Sequence, residues 1–197
     1  MFQQRSPMVD AALKDEYYTY ADYAAWDTDA RYELFDGAPR LMSPAPSVLH
    51  QEITGALYAA FLSFSKGKPC RALISPIDVR LNADDADDTV LQPDMIVVCD
   101  RSKIGTAAIK GAPDLVIEVL SPSSERYDSG AKLDKYLNSG VRECWIVNPE
   151  AHTVRVYKSD DGQTETSQVY GEPETIPVGV VQGLNVSLSG IFAAAAL

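Results

Sequence analysis

Two carboxylic acids lie inside apolar segments where hydrophobic side chains are expected. Asp94 stands immediately before Met-Ile-Val-Val, and Glu118 lies within Leu-Val-Ile-Glu-Val-Leu. Burying an unpaired carboxylate costs several kcal/mol, so such an acid is usually paired, metal-bound or at an exposed strand end. Two strands could bring both acids to one rim of a sheet, where oxygen ligands suit Mg²⁺ or Mn²⁺. The alternative is a half-exposed strand with one polar face, which explains Glu118 alone better than it explains both acids.

A lysine follows the second acid on a predicted helix. Asp128, Lys132 and Tyr136 are spaced four residues apart and therefore share one helix face. From that face Lys132 could reach back to the Glu118 end of the sheet, where an ammonium would orient water or stabilise a phosphoryl transition state. The ordinary alternative is a surface ion pair of little energetic value.

Hydrophobic periodicity and turn residues predict the elements that must position these side chains. Asp36-Gly37 predicts the turn of a β-hairpin over 31–42, and Ser47 begins a helix that carries His50 and runs to about Ser65. Further helices are predicted over 19–26, over 129–138, with Gly140 after its end, and as a stub at 191–197. Strands are predicted over 71–81, broken at Pro76, and over 90–99, 114–120, 141–148 and 153–158, with loops at 82–88 and 100–111 and a turn-rich segment at 160–189.

This order of elements predicts an α/β (α+β) fold with a central mixed β-sheet flanked by helices and an N-terminal β-hairpin. The 197 residues, of which 46% are hydrophobic, correspond to one globular domain. We expect a flexible N-terminal arm at 1–18, a single domain at 19–192 and a C-terminal tail at 193–197.

The composition limits the classes of partner. A formal net charge of −11 argues against a chromatin-like coating protein, because phosphate binding depends on clustered Lys and Arg. No membrane-spanning stretch and no secretory signal are visible. Cys99 and Cys144 lie in apolar runs, which indicates buried thiols in a reducing cytosol and hence a cytoplasmic protein. Only two histidines are present, which excludes a zinc site with several His ligands and leaves a site of oxygen ligands open.

The motifs taken together resemble a known family. Their order and spacing from about Tyr20 to Tyr157 are similar to the Uma family of restriction-endonuclease-like domains, within the PD-(D/E)XK nuclease superfamily. The matching pieces are Tyr32-Glu33-Leu-Phe-Asp36-Gly37, Met42-Ser-Pro, His50, Pro93-Asp94, Pro-Asp-Leu-Val-Ile-Glu118-Val-Leu-Ser121-Pro-Ser-Ser, Asp128, Lys132, Tyr136 and Gly140-Val-Arg-Glu-Cys-Trp145-Ile-Val-Asn-Pro.

The resemblance implies a restriction-endonuclease-like core and assigns roles to single residues. Asp94 resembles the first metal-binding acid of the superfamily and Glu118 the second, with the carbonyl of Val119 as a further metal ligand. The superfamily lysine normally lies two residues after the second acid, where this chain has Leu120, and Lys132 is the matching residue on the next helix. Glu33 resembles an upstream acid that many such nucleases add.

Four further residues are supporting candidates. His50 is similar to the helix histidine of the family, as a proton carrier or a group behind the metal ligands, and an ordinary helix histidine is an equally good explanation. Ser121, Asp128 and Tyr136 are expected to support the site rather than to catalyse.

We therefore expect the protein to be an Mg²⁺- or Mn²⁺-dependent endonuclease that hydrolyses phosphodiester bonds of nucleic acid, with DNA as the expected substrate. Two alternatives are a weak or inactive nuclease fold that serves as a binding or regulatory module, and a structural module, which leaves Asp94, Glu118 and Lys132 unexplained. The acidic charge predicts weak, salt-sensitive nucleic-acid binding. A homodimer is expected because cutting both strands of a duplex needs two sites.

Overall fold

The fold is seen in a computed structural model, which describes most of the chain. The predicted arm and tail lie almost wholly outside the described residues, which are 16–42, 45–65, 67–122, 124–160 and 163–193.

Helices and strands are interspersed along the chain. The helices are α1 (Tyr20–Ala24), α2 (Val48–Ser65), a π-helical segment (Tyr127–Lys132) that continues into α3 (Leu133–Asn138), and α4 (Leu188–Ala193), with a 3₁₀ turn at Arg101–Lys103. The strands are β1 (Tyr32–Phe35), β2 (Ala38–Leu41), β3 (Arg71–Ile74), β4 (Asp78–Arg80), β5 (Val90–Leu91), β6 (Met95–Val98), β7 (Ala108–Lys110), β8 (Leu115–Val119), β9 (Glu143–Asn148), β10 (Thr153–Asp160), β11 (Gln163–Gly171), β12 (Thr175–Pro177) and β13 (Asn185–Ser187).

Local sequence signals explain the two elements nearest the N-terminus. Asp36 and Gly37 both have positive φ, +51° and +78°, as a two-residue hairpin turn with the twist of its strands requires. This turn sets the register of β1 and β2, in which Glu33 lies opposite Arg40. Thr19 begins α1 with a capping box, and its N–H donates to Asp22 Oδ2 at 2.8 Å. The hairpin and the first helix are therefore confirmed.

The described strands form two large sheets and a third, two-stranded sheet of β12 and β13. The six-stranded sheet has the order β11-β10-β9-β8-β6-β3, and the five-stranded sheet has the order β2-β1-β5-β4-β7. The strands β8 and β9 are parallel, and the chain crosses between them through α3, whereas most other pairs are antiparallel. The chain passes from one sheet to the other between β5 and β6, at Pro93-Asp94. The expected mixed sheet and α+β class are confirmed.

Apolar side chains fill two layers, one on each face of the six-stranded sheet. Leu115, Ile117 and Val119 of β8 face the layer that α2 covers, whereas Val116 faces the layer shared with α3. Because side chains alternate along a strand, Glu118 points to the same face as Val116. The second acid is thereby directed toward α3 and the five-stranded sheet.

Several expectations needed correction. The predicted strand 71–81 is broken at Pro76 as expected, but its two parts, β3 and β4, belong to different sheets. The predicted loop 100–111 contains a 3₁₀ turn and β7, which pairs in parallel with β4. The segment 160–189 includes the nine-residue strand β11, whose residues are mostly polar and so lack the hydrophobic alternation that marks a strand.

The expectation of two buried thiols was half wrong. Cys99 forms a disulfide with Cys70, which lies directly before β3, whereas Cys144 is a buried free thiol. Burial raises the pKa of Cys144 far above its ordinary value. The run 82–88 was expected to be a solvated loop. Instead, Asp88 is buried, accepts hydrogen bonds from Tyr17 and Asn82, and so joins this loop to the rest of the molecule.

No helix in the described ranges is both long enough and apolar enough to cross a membrane.

The long helix α2 offers a test of the packing. Leu57 is completely buried against the sheet, whereas Leu62 on the same helix is 40% exposed. We expect Leu57→Ala to lower the free energy of unfolding by about 2–5 kcal/mol, because it removes contacts and leaves a cavity. Leu62→Ala should cost about 0.5 kcal/mol or less. Urea denaturation followed by circular dichroism measures both, and equal losses would contradict this account of the core.

Candidate functional site

A single buried ammonium lies at the junction of the two sheets. Lys132 Nζ is 3.0 Å from Glu33 Oε1, 2.9 Å from Glu118 Oε1 and 3.5 Å from Asp128 Oδ1. The side chains of Lys132, Glu33 and Glu118 are each no more than 5% exposed. One cation therefore joins the five-stranded sheet, the six-stranded sheet and its own helix.

The π-helical segment Tyr127–Lys132, which continues into α3, places Lys132 at this point. Asp128 lies one turn before Lys132, and Tyr136 lies one turn after it on the same face. The Tyr136 hydroxyl donates to Glu118 Oε1 at 2.7 Å. The predicted helix face is thus directed at the second acid, and the same carboxylate oxygen receives both the ammonium and the phenol.

Glu33 reaches the cluster from β1. Its Oε1 also accepts the backbone N–H of Gln92 at 2.8 Å, which ties the strand to the segment just before Asp94. The side-chain amide of Gln92 also forms hydrogen bonds through both its nitrogen and its oxygen. Its Nε2 donates to Asp78 Oδ1 and to the Tyr23 hydroxyl, and its Oε1 accepts from Arg31.

Asp94 occupies the other side of the same site. Its Oδ2 accepts the backbone N–H of Val119 at 2.8 Å and lies 3.1 Å from His50 Nε2. The Asp94 backbone N–H in turn approaches Glu118 Oε2 at 3.4 Å. Because a carboxylate can only accept, His50 carries its hydrogen on Nε2. The histidine therefore holds Asp94 in one orientation.

Burial and charge shift the proton affinities of the cluster. Burial opposes a charge on Lys132, but Glu118, Glu33 and Asp128 outweigh it and raise its pKa well above the ordinary value. Burial also raises the pKa of Glu118 and of Asp128, and Lys132 opposes both shifts. The raised pKa of Lys132 is consistent with the raised pKa values of Glu118 and Asp128, because one ammonium cannot neutralise three buried carboxylates. Lys132 therefore stays protonated while the acids compete for it.

The histidine shows a similar balance. Burial lowers the pKa of His50, but the hydrogen bond to Asp94 and the charge of Asp94 outweigh burial, and the net direction is upward. Thr54 lies beside the other ring nitrogen, 3.5 Å from Nδ1.

The donor set suits a hard divalent cation with few protein ligands. No cluster of three or more His, Cys, Asp or Glu side chains within the described ranges is arranged to hold a metal ion. Asp94 and Glu118 supply two carboxylates, and each uses one oxygen in its short hydrogen bonds. Two carboxylates are the number that Mg²⁺, which usually keeps several waters, takes from a protein. A further contribution from the Val119 carbonyl stays a prediction.

The site opens into a cavity of about 930 Å³. Its lining includes the acids Glu33, Asp94, Glu118 and Asp128, together with Lys132 and His50. A volume of this size is typical of pockets that bind ligands.

The structure brings together most of the residues named from sequence. Glu33, Asp94, Glu118 and Lys132 converge as expected, and His50, Asp128 and Tyr136 contact them. Ser121 lines the cavity and lies 2.9 Å from the Ser124 hydroxyl. Val119 contributes its N–H to Asp94. The catalytic and metal-binding roles themselves stay predictions.

Sequence reasoning missed Gln92 and Tyr127. Gln92 is a polar residue that is 7% exposed between apolar Leu91 and Pro93, which is the same signal that singled out Asp94. Tyr127 lines the cavity, and its hydroxyl is buried without a hydrogen-bond partner among the described residues. Its position directly before Asp128 was a weaker signal.

Comparison with known proteins shows the family and the fold of the chain. A protein of Synechocystis sp., described only as uncharacterized, is 30% identical over 145 residues, which cover 72% of this chain and 74% of that protein. A solved structure from Anabaena variabilis, described as "a putative nuclease belonging to DUF820", superposes with a TM-score of 0.72 at 22% identity. The superposition covers 91% of this chain and 99% of that one, and it shows the same fold.

The family model Uma2, described as "Putative restriction endonuclease", matches residues 17–189. This match includes Glu33, Glu118, Asp128 and Lys132, and all strands of the two large sheets. The chain belongs to the Uma2 family and has a restriction-endonuclease-like fold.

Proposed function

We propose that the protein is a divalent-metal-dependent endonuclease that hydrolyses phosphodiester bonds of nucleic acid, with DNA as its main substrate. The observation that carries the proposal is the position of Lys132, which contacts Glu33 and Glu118 beside Asp94 in one cavity. An acid pair that can hold a divalent cation, with an adjacent ammonium, is one arrangement that supports phosphodiester hydrolysis. The family and the solved relative described as a nuclease support the same reaction class.

Asp94 and Glu118, with the carbonyl of Val119, are the residues that would hold Mg²⁺ or Mn²⁺. A bound cation supplies Lewis-acid charge that lowers the pKa of the attacking water and offsets charge on the phosphate. His50 and the Val119 N–H both hold Oδ2 of Asp94, so they fix the carboxylate and leave Oδ1 for the cation. This fixed orientation reduces the reorganisation that binding requires.

Lys132 is the residue that would orient the nucleophile. Its three N–H groups are divided among three carboxylates, and the contact to Asp128, at 3.5 Å, is the longest. A water or a phosphate oxygen would replace that weak contact most easily. Glu33 and Glu118 would keep the ammonium in place during the exchange, and Tyr136 would hold Glu118.

A non-catalytic nuclease fold is the second candidate. One observation favours it: the described residues contain no three-acid metal cluster, and Lys132 is already surrounded by carboxylates. Such a protein would keep the cluster for stability and use the cavity only to bind.

We further infer that the active form is a homodimer, because two sites are needed to cut both strands of a duplex. We also infer that 19–192 is one folding unit, since one apolar layer draws on buried residues from Ile53 to Phe192 and the other on residues from Val79 to Cys144. The prediction of a cytoplasmic location was based on two buried thiols, Cys99 and Cys144. It is weakened because Cys99 is disulfide-bonded.

The reaction is tested with Asp94→Asn. This change keeps the shape of the side chain but removes the charge, so we expect Mg²⁺-dependent cleavage of plasmid and oligonucleotide DNA to fall by roughly 10²-fold or more. Asp134→Asn is the matched control, because Asp134 is exposed on α3 and lies outside the cavity lining. Cleavage that persists in Asp94→Asn would place the activity elsewhere.

Metal binding is tested without reference to activity. A cation that binds only the folded protein raises the free energy of unfolding by about 2.7 kcal/mol at 100 times its Kd. We expect thermal unfolding to shift upward with Mg²⁺ or Mn²⁺ in the wild type and to be unchanged in Asp94→Asn. The absence of a shift in the wild type would favour the non-catalytic candidate.

Lys132→Met tests the electrostatics of the cluster. Removing the ammonium leaves buried carboxylates unpaired, and we expect a loss of about 3–5 kcal/mol at neutral pH. Carboxylates whose folded pKa is raised favour the folded state below their unfolded pKa and lose that contribution as pH rises through the folded value. The deficit should therefore be smaller at pH ~5 than at pH ~8.

Denaturant unfolding across that range measures the deficit, and Lys135→Met is the control on the same helix, where Lys135 pairs with partly exposed Asp36. A deficit in Lys132→Met that does not change with pH would show that lost packing, rather than unpaired charge, destabilises the variant.

A further inference from the structure

We propose that Arg31, Arg40 and Tyr127 form a phosphate-binding subsite beside the Lys132 cluster, which receives a phosphate next to the scissile one in a polynucleotide. The inference rests on the proposed nuclease function and adds the residues that recognise the substrate. Although the net charge of the chain is −11, Arg31 and Arg40 both lie in the lining of its acidic cavity.

The β-hairpin geometry puts both arginines on the same face as Glu33. Side chains alternate along a strand, so Arg31, two residues before Glu33, points to the same side. The register places Arg40 directly opposite Glu33 on β2, and opposite residues share a face. The hairpin thus presents two guanidinium groups next to the carboxylate that binds Lys132.

Uncharged groups hold Arg31. Its Nε donates to Gln92 Oε1 at 3.2 Å, its Nη2 donates to the same oxygen, and Nη2 also lies 3.3 Å from the Ser75 hydroxyl. Gln92 is itself fixed by its bonds to Asp78 and Tyr23. Nη1 makes no hydrogen bond to any described residue. Arg31 therefore lines the cavity as an oriented cation with donors to spare.

Aromatic rings hold Arg40. Its guanidinium carbon lies 4.6 Å from the ring centre of Tyr127 and 5.6 Å from that of Phe35. Stacking of this kind positions the planar group and leaves its edge N–H groups available for bidentate binding of a phosphate. Within the described ranges, neither Arg31 nor Arg40 forms an ion pair with a carboxylate.

Tyr127 supplies the third donor. Its hydroxyl is buried and has no hydrogen-bond partner among the residues described, although Tyr127 lines the cavity. An unmade hydrogen bond at a buried hydroxyl destabilises the free protein, which suggests that a ligand supplies the missing acceptor. Burial and the charge of Glu33 raise the pKa of Tyr127 far above its ordinary value, so the hydroxyl keeps its proton.

The charges around the cavity favour a phosphodiester over a free anion. Exposed Glu125 and Glu150 also line it, so the attraction of the arginines is local and not a broad positive field. A polynucleotide places its neighbouring phosphates a fixed distance from the bond that is cut, and can thus engage the arginines and the cation site together. Inorganic phosphate has only one group and gains no such advantage.

The test measures binding separately from cleavage. A fluorescein-labelled short DNA duplex is titrated with the full-length protein in Ca²⁺ in place of Mg²⁺, and anisotropy is recorded at several salt concentrations. We expect Arg40→Gln and Arg31→Gln each to weaken binding about tenfold. Each should also reduce the slope of log K against log salt by about 0.9, as expected for one lost phosphate contact.

Arg155→Gln is the matched control, because exposed Arg155 on β10 changes the net charge equally and lies outside the cavity lining. Tyr127→Phe should weaken binding without lowering the melting temperature, since its hydroxyl makes no hydrogen bond to any described residue. Arg31→Lys retains the charge but not the fork, and should fall between wild type and Arg31→Gln. An excess of inorganic phosphate should not displace the duplex.

The outcomes separate the two proposals. The subsite is overturned if the wild type does not bind the duplex, if the cavity variants lose no more affinity than Arg155→Gln, or if inorganic phosphate competes as well as unlabelled DNA. If the arginine variants lose binding as expected but no protein cleaves DNA in Mg²⁺, the subsite stands and the endonuclease function fails.

Discussion

The site depends on a single imbalance of charge, in which one buried ammonium serves three buried carboxylates. Glu33 comes from the five-stranded sheet, Glu118 from the six-stranded sheet, and Asp128 from the helix that carries Lys132 itself. A buried ion pair often contributes little net stability, but removing one partner leaves a desolvated charge. The three elements are therefore held in a fixed relation by a contact that none of them can lose alone, and that relation also defines the cavity.

The same imbalance would favour a bound cation beside the cluster. Carboxylates in excess of their cation attract additional positive charge, which a divalent ion beside Asp94 and Glu118 would supply. Hydrogen-bond donors limit how far the acids can move: the Val119 N–H and His50 hold Asp94, Tyr136 holds Glu118, and the Gln92 N–H holds Glu33. Asp94 lies where the chain passes from β5 to β6, while Glu33 and Glu118 come one from each large sheet, so the site is a consequence of the topology and not of one strand.

Sequence reasoning reached most of the site because its signals were local and physical. A carboxylate within an apolar run identified Asp94 and Glu118, helical spacing identified Lys132, and a two-residue turn identified the hairpin that carries Glu33. It did not reach the division of the strands into two sheets, because pairing partners are set by long-range contacts that no local pattern encodes. The strand β11 was missed for a related reason: its residues are mostly polar and show no hydrophobic alternation, and its place in the sheet is set by pairing with β10. The pairing of Cys70 with Cys99 likewise follows from the adjacency of β3 and β6, which the sequence did not reveal.

The acidic balance has a different meaning once the contacts of individual charges are known. Asp36, Asp87 and Asp114 pair with Lys135, Arg80 and Arg142, so several cations are committed to structural ion pairs. Arg31 and Arg40 are held instead by an amide oxygen and aromatic rings. A net charge counts all of these alike, whereas binding of a phosphate depends on the few cations that keep unused donors and face a cavity. An acidic protein can therefore recognise a polyanion at one point, with the long-range repulsion limiting its affinity and the local geometry setting its specificity.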